Sequence, residues 1–96
     1  MIRLIDVVKS KKKNKRYDAI FDVGKSKPRV ISFGSAHHEN YTIHNDKERR
    51  RLYRLRHKSD NLKTPLSPGA LSWYLLWGES ADLKKNIRDF KRVFKV

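Results

Sequence analysis

Four histidines, His37, His38, His44 and His57, are the side chains best suited to acid–base or metal chemistry near neutral pH. His37 and His38 are adjacent in the stretch "HHEN", which has a passing likeness to a histidine nuclease loop. Such a loop needs an ordered His–Asn–metal arrangement, and zinc needs a set of ligands at defined spacing. The chain has no cysteine and no compact group of carboxylates to complete one. Asp18 and Asp22 share a strand face but stand roughly 13 Å apart, too far to hold a metal pair unaided. No glycine-rich phosphate loop, Ser-His-Asp spacing or nucleotide motif is present. The expectation is therefore no enzyme, no catalytic residue, no metal and no cofactor. A small metal-dependent nuclease using His44 and His57 is the third-ranked alternative.

Phosphate chemistry is far better supplied. Lys and Arg number 24 against 10 Asp and Glu, a net charge of +14. A compact domain with that balance repels itself and gains from a polyanion. The charge falls in three clusters. Lys11, Lys12, Lys13, Lys15 and Arg16 crowd a turn, "KSKKKNKR". Lys47, Arg50, Arg51, Arg54 and Lys58 gather on one side of a predicted helix, opposite a narrow stripe of Leu52 and Leu55. Lys84, Lys85, Arg88, Lys91, Arg92 and Lys95 crowd one third of a second helix, opposite Leu83, Ile87, Phe90, Val93 and Phe94. One basic helix face is ordinarily just solvated, but three sorted clusters point to nucleic acid first, anionic membrane second and an acidic protein third. Arginine suits bidentate phosphate contacts, and a lysine loop tracks charge without fixed geometry. With no Asn or Gln in these faces to bracket adenine, affinity should come from counterion release rather than base reading.

The elements that position these clusters form one α+β domain over residues 1–96. Residues 2–9, the alternating "YDAIFDVG" and "RVISFG" read as a three-stranded antiparallel meander within residues 1–34. "SAHHENYTIHN" reads as a loop with an extended stretch at Tyr41 to Ile43. Three helices follow within residues 45–95. The first is capped by Asn45 or Asp46, with Glu48 completing a capping box. The second is opened by Ser67-Pro68 and stopped by Gly78. The third is capped by Ser80. "ALSWYLLW" is too short to cross a membrane, so no transmembrane segment is expected. The N-terminus does not read as a signal peptide, and the absence of cysteine fits an intracellular life. Trp73, Tyr74 and Trp77 read first as core and second as a base-stacking surface. With so thin a core, the working expectation is a homodimer joined through Leu71, Trp73, Tyr74 and Trp77.

Phe33-Gly34, Tyr41 to Asp46, Arg49 to His57, and Gly69-Ala70-Leu71-Ser72 with Leu76-Trp77 together resemble a family of small basic proteins of nucleocytoplasmic large DNA viruses, the marseillevirus-like giant viruses. The resemblance is tight over half the chain and looser over the "YDAIFD" strand and the last helix. It implies a viral origin, hairpin strands followed by helices, and no known catalytic activity. It also implies residence in the virion and the infected cell, in a cytoplasmic factory or the nucleus, beside other virion proteins. The family carries a basic residue after "GALS" where this chain has Trp73. His44, Asp46, Arg56 and His57 match motif positions, either as a buried network bracing the first helix or as a binding site. The expected function is a sequence-nonspecific DNA-binding protein of genome packaging. The alternative is a structural virion protein docking an acidic partner or anionic membrane.

Overall fold

The computed structural model describes residues 1–96, and the alternating N-terminal third forms the expected meander. Strands β1 (Arg3–Lys9), β2 (Lys15–Asp22) and β3 (Arg29–Ser35) pair antiparallel in the order β1-β2-β3. Tyr17 faces Phe33 and Ala19 faces Ile31 across the β2–β3 ladder, so one sheet face is apolar. Alternation fails in β1, where the register shifts between Leu4 and Asp6. This bulge turns Ile5 outward, 60% exposed, and lets Leu4 and Val7 both reach the core side. On the other face Asp18 is buried and accepts hydrogen bonds from the Ser10 and Ser32 hydroxyls, each at 2.6 Å. The Ser10 bond is the main cause of its lowered pKa, with Ser32 next. Asp18 thereby ties the base of the lysine turn to the sheet.

The helical part contains one element more than the sequence predicts. Tyr41–His44 is a single helical turn (α1) rather than an extended stretch. Asn40 Oδ1 accepts from the Thr42 amide, and Asn45, at φ 53°, closes the turn by donating its N–H to Tyr41 O. That use of Asn45 leaves Asp46 to cap α2 (Lys47–His57), accepting from the amides of Glu48 and Arg49. Glu48 turns to Arg51 instead, and the predicted capping box does not form. Ser67 and Pro68 open α3 (Pro68–Leu71) as expected, and the chain continues into a π-helical segment, Ser72–Leu76. Asp82, not Ser80, caps α4 (Leu83–Phe94). No helix is long and apolar enough to cross a membrane.

Leu71, Leu75 and Leu76 insert against the sheet face of Leu4, Ala19, Phe21, Ile31 and Phe33, and Phe90 of α4 completes the core. The wider π turn, closed by Trp77 N–H to Ser72 O, brings Leu75 and Leu76 inward together. Leu71 is therefore fully buried within the chain, which removes it from the expected contact between two copies. Tyr74 is partly buried and lies edge-on to Phe90 and Phe94.

A π turn leaves its last carbonyls without intrahelical partners. Asn86, 1% exposed, meets this need from α4: its Nδ2 donates to Leu75 O at 3.0 Å and Ser80 O at 2.7 Å, and its Oδ1 accepts from Ser80 N–H at 3.1 Å. Gly78 makes the approach possible, because a Cβ there would overlap Tyr74 O and press on the Asn86 amide. Replacing Asn86 with Ala should destabilise the fold by about 2–4 kcal/mol, as three buried bonds are lost and their backbone partners stranded. Urea unfolding should show a lower midpoint at unchanged slope, with Lys84→Ala moving it by less than about 0.5 kcal/mol.

Candidate nucleic-acid interface and the adjoining cleft

Helix α2 is rotated relative to its sequence pattern. Leu52 and Leu55, the expected apolar stripe, are 38% and 55% exposed. Arg50, Tyr53, Arg54 and His57, spaced i, i+3, i+4, i+7, face the body of the protein instead. The surface they meet explains this, because it is a helix end rich in free carbonyls. Arg54 Nε donates to Trp77 O at 3.0 Å, and Arg50 Nη1 donates to Gly78 O at 3.0 Å and Glu79 O at 3.3 Å. The two guanidiniums also lie over the rings of Tyr41 and Trp73, at 4.8 Å and 4.9 Å. Between them Tyr53 stacks on Trp77 at 4.3 Å and on His57 at 4.2 Å. Two arginines expected to meet phosphate are thus engaged inside the fold. Of the rest of that cluster, Arg51 pairs with Glu48 at 2.6 Å, while Lys47 and Lys58 are exposed and unpaired.

The other two clusters keep most of their charge free. Lys11, Lys12 and Lys13 are exposed, and Lys84, Lys85, Arg88, Lys91 and Lys95 stand on the outer side of α4. Arg92 pairs with Asp89 at 3.1 Å, but no lysine of the chain lies within ion-pair distance of a carboxylate. The clusters do not merge into one track. The lysine turn is held to the loop after β3 by Ala36 N–H to Asn14 O and by Arg16 Nη2 to His38 O, at 2.8 Å. The end of α4 lies at the opposite end of β1, where Leu4 N–H donates to Val96 O and Lys91 neighbours Arg3 and Asp22. The length of β1, roughly 20 Å at ~3.3 Å per residue, separates the two.

Beside the lysine turn opens a cleft of about 870 Å³, walled by the loop of residues 35–40, α2 and the start of α3. Lys15, Arg49, Arg56 and His57 line it, together with Glu39, Asp60 and Trp77. Arg49 pairs with Glu39 at 3.4 Å and His57 Nδ1 bonds Asp60 Oδ2 at 2.8 Å, which leaves Lys15 and Arg56 as the unpaired cations. Arg16 is spent on His38 O with its Nε buried and unpartnered. His44 is not a cleft ligand. Its Nδ1 accepts from Asp46 N–H at 3.0 Å, and its ring packs against Trp77. Burial, followed by the charge of Arg49, lowers its pKa, so it braces the start of α2 as a neutral ring. His37 and His38 are exposed at the rim, and no three His, Asp or Glu side chains come together as a metal-binding group.

Sequence reasoning missed Asn40, Tyr53 and Asn86. Only the "HHEN" stretch drew notice to Asn40, and nothing local to Tyr53 or Asn86 marks their partners, which are 24 and 11 residues away. Arg54→Ala should cost about 1.5–3 kcal/mol in urea unfolding, the range for a charge-assisted bond, and Lys at that position should recover little of it. Burial, with the Asp60 charge second, pushes the Tyr53 phenol up to about 12 from its ordinary 10.0. The neutral phenol is therefore favoured by folding. Its contribution is complete below pH 10.0 and is lost as pH rises toward about 12. Spectrophotometric titration should show one tyrosine ionising near that upper value, together with loss of the fold.

A family model described as a family of unknown function (DUF5754) matches residues 5–57, from within β1 to the last residue of α2. No curated protein and no solved structure matches the chain. The match takes in β1 from Ile5 onward, β2, β3, the loop of residues 35–40 and α2, more than half the sequence, and the chain belongs to this family (DUF5754).

Proposed function

We propose that this protein binds nucleic acid, DNA foremost, through phosphate contacts with little base preference, and that it condenses what it binds. The observation that carries this reading is the net charge of +14, together with the fact that no lysine of the chain is ion-paired. A folded chain tolerates such uncompensated charge at a cost in self-repulsion, and a polyanion relieves it. The distribution adds a second element. Free cations occupy the lysine turn at one end of β1 and α4 toward the other, in a molecule 42 Å long. One molecule can then touch two duplex segments, so bridging does not depend on a dimer. The resemblance to giant-virus proteins supplies a setting for this activity, genome packaging in the virion or the infected cell.

Phosphate binding of this kind releases counterions. With about six phosphates neutralised, the log–log dependence of affinity on salt should have a slope near −5 on random duplex. Reversing Lys84, Lys85, Arg88 and Lys91 to Glu should flatten that slope and weaken binding equally for all sequences, and it should abolish light scattering from bridged duplex. A slope near zero, or binding confined to anionic vesicles, would refute the reading.

A further inference from the structure

The cleft between the lysine turn and α2 has features that duplex binding does not use. We infer that it receives one unpaired nucleotide of a single strand, with the base stacked at His57 and the phosphate held by Lys15 and Arg56. The inference rests on the nucleic-acid reading above and gives it a strand preference.

Size is the first argument. About 870 Å³ falls in the range of small-molecule sites and suits a nucleotide, whereas a duplex is far too wide to enter. Stacking is the second. His57, Tyr53 and Trp77 form a row of stacked rings, with 4.2 Å and 4.3 Å between neighbours, Trp77 within 4° of the Tyr53 plane and His57 tilted by 23°. His57 ends that row at the cleft wall. Its bond to Asp60 is made at Nδ1, on the ring edge, and the side chain keeps 40% of its surface exposed. A planar base laid there extends the row, and such stacking accepts any base.

The third argument is an unused donor. Asn40 lines the cleft and is 2% exposed. Its Oδ1 is fixed by the Thr42 amide and hydroxyl, which forces Nδ2 away from them, and Nδ2 has no acceptor. A buried donor without a partner is costly. Nδ2 is sealed from the cleft by its neighbours, so a base carbonyl or phosphate oxygen would satisfy it by pushing the loop of residues 35–40 aside. Charge is the fourth. The cleft's two acids are already occupied by Arg49 and His57, so Lys15 and Arg56 face an incoming phosphate without competition.

The test uses the full chain labelled with ¹⁵N and three probes: thymidine monophosphate, an oligothymidylate of eight residues and a blunt duplex. The mononucleotide and the single strand should shift the Asn40 side-chain amide and the Trp77 indole N–H, and the duplex should shift only α4 and lysine-turn signals. Asn40→Asp keeps the oxygen that caps α1, removes the donor and adds a negative charge that opposes a phosphate in the cleft. Arg56→Ala removes an exposed side chain with no bonding partner in the fold. Each should weaken single-strand affinity about tenfold, at the lower end of a stacking or charge contact, and leave duplex affinity unchanged. Single-strand probes that shift only α4 and the lysine turn would overturn the cleft while the duplex reading stands. Unchanged single-strand affinity in Arg56→Ala would do the same. Cleft shifts without any duplex binding would support the cleft and remove the condensation reading.

Discussion

The arrangement depends on how the carbonyls at the end of the π segment are satisfied. A helix that stops inside a protein leaves acceptors that water cannot reach, and each must find a donor. Here the donors come from two directions. Asn86 reaches in from α4 to Leu75 O and Ser80 O, while Arg50 and Arg54 reach in from α2 to Trp77, Gly78 and Glu79. The same few residues therefore fasten both flanking helices to the central one. The apolar core beneath is small, and no residue of α2 is fully buried. Polar capping, with the aromatic row beside it, is what holds α2 in place.

That constraint sets the electrostatics. Arg50 and Arg54 act as caps on a partially negative helix end, a favourable use of charge that also withdraws them from solvent. Their planar groups lie on Tyr41 and Trp73 while bonding edge-on, a geometry lysine cannot reproduce. The lysines, strongly hydrated and without carboxylate partners, remain outside. Arginine and lysine are thus divided between jobs: much of the arginine of α2 serves the fold, and the lysine of the turn and of α4 supplies the exposed field.

The cleft follows from the same geometry. Because α2 turns its Arg50–Tyr53–Arg54–His57 side toward the body, Arg56 and Leu52 come to lie along an opening against the loop of residues 35–40. Asn40 caps a helical turn of four residues there and holds its amide nitrogen unused. Tyr53 and His57 connect this opening to Trp77 of the central segment, so the wall of the cleft and the anchoring of α2 are one aromatic row.

Local periodicity was enough for the strands, because Tyr17, Ala19 and Phe21 fall on one face and Asp18, Ile20 and Asp22 on the other, and period-two alternation needs no distant information. The Ser67–Pro68 helix start and the apolar side of α4 were legible for the same reason, as was the excess of positive charge. The orientation of α2 was not. Leu52 and Leu55 form the apolar stripe that a hydrophobicity wheel selects, yet the surface awaiting the helix is made of carbonyls and aromatic faces, which bind guanidinium better than leucine. The bulge at Ile5, the transfer of Asn45 from starting one helix to ending another, and the pairing of Asn86 with Leu75 likewise depend on partners brought near only by folding. Composition and period belong to the chain alone. Which cations stay free, and where a cleft opens, was decided by tertiary contacts, since a hydrogen bond's worth depends on what both partners would otherwise meet.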